Sequence, residues 1–501
     1  MHPIWVGGVI QPPAAVTVGT TLWMCRRLCG RGRLDSTSRP PDRTRMRTKY
    51  SFVISITAAV CAALWLWLRS APWAEAIPPA SPYPSLNQDA QPWVVQTSTL
   101  PALAGYKSPK PVVAADEKGI VVVVAHGVTD DPLGSDMLVW RSVDRGNSWS
   151  PPDNLTKRAK DGEFYFDPWL ETDGRGHFYF VHALHSDGRP LIRRSKDAAL
   201  TWSKPLPINA KFGDRPVLAV SPNGRRLAVA ASMSEKTASY SSKPLDSNDP
   251  KLEEKLRAAF RHYAGVFVST NHGESWETWP SPFGDQHAIP FSIVVDDTNR
   301  VAAAWIIEGG GSRSVVSVSE YQGRSWATTV LVESLQPDRP HPFNGERFPV
   351  LALDGASGLH VAYVSVGATA LMVRRSADWK NWDDAASLAS DAAEEVRMAA
   401  MDACGPMVHV TWMERIGASW HAYYRGSRDF GETWSTACRL SEAIVLSVSS
   451  IANGFQIYGD DDQSSVRDDG LGRVHAVWCI AGGSVVHAIV DWSSNPKNAG
   501  R

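Results

Sequence analysis

Seven short stretches of this 501-residue chain place charged or phenolic side chains just ahead of a hydrophobic strand pattern. They are Lys107 and Lys110, Asp167, Asp214 with Arg215, Gln286 with His287, Glu346 with Arg347, Glu395 with Arg397, and Tyr458 with Asp460. A second set, Asp130, Asp131, Asp136, Glu308, Arg313, Glu414 and Arg415, follows further along the same patterns. The chemistry open to such groups is specific. An arginine fork grips a carboxylate by two parallel hydrogen bonds, a carboxyl gives and takes protons, and a tyrosine hydroxyl serves as an uncharged nucleophile. Gathered at one concave mouth they would form a ligand site. Scattered, the Asp-Arg and Glu-Arg neighbours would pair with adjacent elements and serve only the fold.

Other chemistries lack their residues. The 14 His show no HExxH and no paired Cys/His spacing, so neither a metal nor any other cofactor is expected. No Gly-rich phosphate loop and no GxSxG elbow occurs. Lys+Arg total 51 against 52 Asp+Glu, but residues 1–76 hold ten basic and three acidic residues, which leaves the rest acidic. A nucleic-acid partner is therefore excluded, since phosphates call for gathered cations.

The elements that must position these groups are short strands. With 38 Gly, 34 Pro and 21 Trp among 43% hydrophobic and 21% charged residues, the chain suits many tight turns in an all-β protein. Seven strand-turn-strand hairpins recur, from PVVAADEKGIVVVVAHG to VRDDGLGRVHAVWCI. Six octamers of the form S-x-D-x-G-x-[ST]-W follow them, some degenerate: SVDRGNSW (142–149), SKDAALTW (195–202), STNHGESW (269–276), SEYQGRSW (319–326), the shortened SADWKNW (376–382) and SRDFGETW (427–434). A repeat at this spacing marks a propeller or solenoid. Within each octamer, Ser and Asp can bond the loop's own amides, Gly supplies a positive φ, and Trp packs under the neighbouring sheet.

These octamers resemble the Asp-box, or BNR repeat, of the sialidase (neuraminidase) superfamily, over about residues 92–493. The resemblance implies a β-propeller of four-stranded blades with the octamer between the third and fourth strands. Seven hairpins favour seven blades, the last completed by residues 92–100, with the six of typical sialidases as the alternative. Loops alternate between faces, so the charged stretches fall opposite the octamers, with the first strands lining a central channel. Residues 233–262 form an insertion in which Asp249 caps a helix carrying Leu252, Leu256 and Phe260 on one stripe.

The resemblance further implies three arginines on a sugar carboxylate, a tyrosine nucleophile with a glutamate partner, and an aspartate as acid and base. Glycosidases with a tyrosine nucleophile are a known exception to the two-carboxylate rule. By position these become Arg215, Arg347 and Arg397; Tyr458, with Tyr423 and Tyr424 as other candidates; Glu346 or Glu333; and Asp131 or Asp136. Asp167, Asp214, Lys110 and Asp460 complete the substrate-binding set. Where the family opens blade one with Arg-Ile-Pro, this chain reads Tyr106-Lys107-Ser108-Pro109-Lys110-Pro111, and lysine lacks the arginine fork. Two functions are expected: a sialidase-like hydrolase of anionic sugars, or a non-catalytic propeller that binds a glycan or protein. A purely structural envelope role is third.

Residues 51–68 are uncharged, follow Arg43, Arg45, Arg47 and Lys49, and end at Arg69. They read equally as a signal with a cleavage site at Ala74-Glu75-Ala76 or as a membrane anchor. Residues 1–45 read as a leader or an over-extended start, 46–76 as the signal or anchor, 77–91 as a linker and 494–501 as a tail. The body is expected to be exported, with membrane contact only through the N-terminal segment. Of the six Cys, Cys404 and Cys438 are candidates for a disulfide if their Cα atoms approach within about 7 Å, leaving Cys479 buried.

Overall fold

The computed structural model describes residues 91–129, 135–156, 165–184, 188–209, 211–237, 259–307, 312–320, 325–335, 348–444, 450–452, 455–457, 463–480 and 482–492. The run 51–68 and residues 249–258 of the expected helix lie outside them. Phe260, expected on that helix, instead opens a strand, Phe260–Ser269, because it pairs with Lys236 across the sheet. Among the described residues no helix is long and apolar enough to cross a membrane.

Seven four-stranded antiparallel sheets form a seven-bladed propeller. The first strands of the blades are Val112–Ala115, Tyr165–Thr172, Phe212–Val220, Ala288–Val295, Val350–Leu353, Glu395–Cys404 and Ser465–Asp468. Each touches the next and the seventh touches the first, so they ring a central channel. The second strands, such as VVVVAHGV over Val121–Val128, are buried along their length. Small and β-branched residues suit strands covered on both faces, and side chains of adjacent blades interleave: Val122 and Val124 of blade one pack with Leu170, Phe178 and Phe180 of blade two.

The seventh blade has three strands of its own, and Trp93–Thr99 supplies the fourth by pairing with Ser484–Asp491. Neighbouring blade six holds this strand in place. Thr97 Oγ1 donates to the Leu440 carbonyl at 2.8 Å, and Gln91 Oε1 accepts from both the amide and the hydroxyl of Thr436 at 3.1 Å.

The octamers form the turns their residues dictate. In blade one the Ser142 hydroxyl donates to Asp144 Oδ1 at 2.8 Å and accepts from the Gly146 amide at 2.9 Å, while Asp144 accepts from the Ser148 amide and hydroxyl at 2.9 and 2.6 Å. Blades two and six repeat the pattern around Asp197 and Asp429. Each turn locks onto the hairpin turn beside it, as where Ala198 donates to the Gly176 carbonyl at 3.0 Å. The octamer tryptophans reach the preceding blade: Trp149 meets His487 edge-on, and Trp382 donates to Thr329. Gly146, at φ 78°, lies so close to His487 that an added Cβ would stand 2.7 Å from its ring, so both its conformation and its packing require glycine.

Cys404 and Cys438 are not bridged. Cys438 stands three strands across from Ala400, and Cys404 lies four residues further along that first strand. The separation is roughly 19 Å by strand spacings, far beyond disulfide reach. The Cys438 thiol instead donates to the Pro92 carbonyl at 3.2 Å, and Cys479 is buried.

Near the octamer end of the channel, Arg467 of blade seven bonds Asp402 of blade six at 2.8 Å and also Glu171 of blade two. One guanidinium thus ties three blades, two of them separated by blade one. Removing one partner of a buried ion network leaves charge uncompensated. Arg467→Met should therefore lower stability by about 3 kcal/mol, read by chemical denaturation, while the circular-dichroism spectrum at low denaturant stays that of the propeller.

Candidate functional site

At the opposite end of the channel, the first strands do not enter straight. Register breaks occur between Phe166 and Trp169 in blade two, Asp214 and Val217 in blade three, and Arg397 and Ala400 in blade six. Each break holds a non-glycine residue in the left-handed region: Asp167 (φ 52°), Arg215 (φ 49°) and Met398 (φ 53°); Lys110, just ahead of the first strand of blade one, has φ 55°. Each such residue costs of order 1 kcal/mol or more, and a bulge re-aims the side chains around it. A sequence signal accompanies three of them, since Lys110, Asp167 and Arg215 each precede a proline.

The bulges of blades two and three, with Lys110 ahead of the first strand of blade one, bring together four of the expected residues. Lys110 Nζ lies 2.5 Å from Asp167 Oδ1, with both side chains almost wholly buried. The Asp167 and Asp214 carboxyls are near enough for each to shift the other's titration, and Asp214 Oδ1 accepts the Arg215 amide at 2.9 Å. The Arg215 guanidinium sits 5.7 Å over the Phe291 ring, which stacks on Phe348 at 3.7 Å. Burial alone would raise the Asp167 carboxyl, but the Lys110 and Arg215 charges hold it well below the usual carboxylate range. Burial and then the Asp167 charge push Asp214 up to about 7. Beneath the cluster lies His126, driven down to about 3 by burial and by Lys110.

Other expected residues are used elsewhere. Asp136 does not stand in a loop. It belongs to the third strand Ser135–Ser142, is 2% exposed, and accepts from Tyr106 at 2.7 Å, Asn154 at 2.9 Å and Thr156 at 3.1 Å. Three donors from its own blade occupy its carboxylate. Arg397 bonds Glu395 at 2.6 Å and lies 4.9 Å over Trp420, both within blade six. Glu414, expected at the mouth, is fully buried and accepts from the Ser390 amide at 2.9 Å and Trp412 at 3.2 Å. Arg415 pairs with Glu394 at 2.6 Å. Tyr424 is buried in a third strand, bonded to His409 and Trp492, and Tyr423 precedes it on that strand. Asp131, Glu346, Arg347, Tyr458 and Asp460 lie outside the described residues, as does the Glu333 side chain. Among the described residues no group of three or more His, Cys, Asp or Glu is arranged to hold a metal ion.

Two buried imidazoles near this end of blades one and two set a pH response. His126 and His182 are fully buried, and His182, between the Tyr165 and Phe180 rings, is driven to about 3 by burial and by Arg193. Below the ordinary imidazole value the unfolded chain takes up protons that the fold refuses, so stability drops as pH falls from about 6.5 toward 3. At pH 5.5 the loss is about 1.4 kcal/mol for each histidine. The stability difference between pH 7.5 and 5.5 in His182→Leu should be smaller than in the wild type by about that amount, measured by urea denaturation. An equal difference would mean that His182 is charged in the fold.

No protein-family model matches the chain, and no curated protein matches it in sequence. Solved structures resemble it in outline. An ulvan lyase, a polysaccharide lyase, is 12% identical with a TM-score of 0.45, covering 79% of this chain and 96% of that one. The endosialidase of phage phi92 is 10% identical with a TM-score of 0.44, covering 82% and 70%. The leech intramolecular trans-sialidase is 12% identical with a TM-score of 0.37, covering 77% and 67%. Likeness at this level carries nothing about activity.

Proposed function

We propose that the channel mouth opposite the octamers binds an acidic glycan outside the cytoplasm. The observation that carries this reading is the Lys110, Asp167, Asp214 and Arg215 cluster, drawn from three blades, with Lys110, Asp167 and Arg215 on left-handed backbone. Strained conformations gathered at one site point to function. Two cations suit a carboxylate or sulfate, and carboxyl oxygens accept from sugar hydroxyls. Binding is favoured over two-carboxylate hydrolysis, because Asp167 is already engaged by Lys110 at 2.5 Å and Asp214 by the Arg215 amide at 2.9 Å. A sialidase mechanism would need Tyr458 and Arg347 at the mouth.

Calorimetry of the full chain with 3′-sialyllactose, against neutral lactose, tests the reading. Arg215→Lys keeps the charge but loses the fork, so the affinity for 3′-sialyllactose should fall about tenfold, a loss of one charge-assisted hydrogen bond, with an unchanged melting temperature. Equal affinity in Arg215→Lys and in Lys110→Met would remove the cluster from the ligand site. Release of fluorophore from a sialoside by the same preparation would add hydrolysis to binding.

A further inference from the structure

At the octamer end, far from the mouth, the seam between blades two and three brings two histidines together. His177 stands four residues after the turn aspartate Asp173, and His272 occupies the octamer position before Gly273. Their ring centroids are 6.4 Å apart, with the planes tilted by 54°. The seam between blades seven and one carries Arg473 and Arg145 at the same two positions, and each of those arginines takes a carboxylate, Asp491 and Asp469 respectively. Imidazoles in these places change the chemistry, because a neutral imidazole offers a lone pair and a guanidinium offers none.

Each ring is already oriented through one nitrogen. His177 Nδ1 lies 2.6 Å from Asp173 Oδ2, and that carboxylate is itself fixed by accepting the Arg175 and His177 amides through its other oxygen. An ionised carboxylate only accepts, so neutral His177 carries its proton on Nδ1 and keeps its lone pair at Nε2. His272 Nδ1 lies 3.0 Å from the hydroxyl of Tyr179, two residues after His177. A hydroxyl can donate or accept, so His272 can take the same tautomer without losing this bond. Neither Nε2 has a hydrogen-bond partner among the described residues. A metal-bound histidine shows this arrangement, with one nitrogen held by an outer group and the other given to the ion. The charges beside the pair balance, since Arg194 donates to the His272 carbonyl at 2.9 Å and Glu274 lies 3.6 Å from the same guanidinium.

We propose that a divalent transition-metal ion, of the class that imidazole favours, bridges His177 Nε2 of blade two and His272 Nε2 of blade three, with water completing its coordination. Zinc and copper are the ions best suited to such donors. With a Zn–N bond of about 2.0 to 2.1 Å, two rings bound tetrahedrally would have centroids about 5 Å apart. The observed 6.4 Å therefore calls for about 1 Å of closure. Both residues lie at the surface, with the His177 side chain 41% exposed, so a small side-chain rotation supplies it. The ion would staple two blades where the others rely on side chains alone.

The full chain, freed of metal, tests this. Calorimetry with Zn²⁺ should show one equivalent that His177→Ala and His272→Ala each weaken at least tenfold, and that the double variant loses. Alanine already occupies the position equivalent to 272 in the octamer of blade two, as Ala198 on the same left-handed backbone, so these variants should keep the metal-free melting temperature. Asp173→Asn, which leaves both histidines in place, should weaken Zn²⁺ about tenfold by loosening the His177 ring. Electron paramagnetic resonance with one equivalent of Cu²⁺ should report two nitrogen donors in the wild type and one in either single variant. Zn²⁺ should raise the melting temperature of the wild type and not that of the double variant, since only the assembled seam binds it. Equal Zn²⁺ affinity in the wild type and the double variant, or an unchanged copper spectrum, overturns the proposal. None of these outcomes touches the reading of the mouth, which lies at the other end of the channel.

Discussion

Seven sheets make a ring only if the last one meets the first, and the backbone ladder between Trp93–Thr99 and Ser484–Asp491 is the interaction that joins them. Each blade covers its neighbours' apolar faces, so an open ring would expose two such faces at once, those of blades one and seven. The closing strand spares both, since it completes blade seven from a segment nearly four hundred residues away in sequence. Thr97 and Gln91 then tie the same strand to blade six, so that the seam is held from more than one side.

The two ends of the channel divide the work between them. At the octamer end, short polar side chains satisfy their own turns: Asp116, Asp173, Asp296, Asp354 and Asp469 each accept amides two and four residues on. Buried His360 bonds the Asp354 carboxylate, and buried His409 lies 2.8 Å from that of Asp468, below these turns. Burial would raise the Asp354 carboxyl, but His360, the Gly358 amide and Arg375 outweigh it and hold it low. The other end carries left-handed residues and a bulge in several first strands. Strain of that kind persists where the surrounding structure over-determines it, and the self-satisfied turns and interleaved cores supply that support.

Much of the fold was legible because its signals are local. Each octamer holds its own hydrogen-bond partners within eight residues, and each hairpin its own turn, so period and turn chemistry exposed seven blades and the borrowed strand. The site was legible only in part. Lys110, Asp167, Asp214 and Arg215 stood out by charge and position, and they do assemble. Their bulges did not stand out, although the proline after three of them was a trace. Asp136 and Glu414 looked like mouth residues because a side chain's direction depends on where a strand begins, and a shift of a residue or two turns it from loop to core. The Cys404 and Cys438 pairing failed for a related reason: sharing a face of one blade says nothing of distance across four strands. Arg467 was invisible as a bridge, since its partners Glu171 and Asp402 come from blades two and six.

That bridge also couples blades that share no edge. A guanidinium reaching from blade seven to blades two and six passes blade one near one end of the channel, so it acts as a strut inside the ring. Were the ladder between Trp93–Thr99 and Ser484–Asp491 to part, these ion pairs would still tie blade seven to blades two and six. The ring is thus held by two independent fastenings, one of backbone at its seam and one of side chains within it.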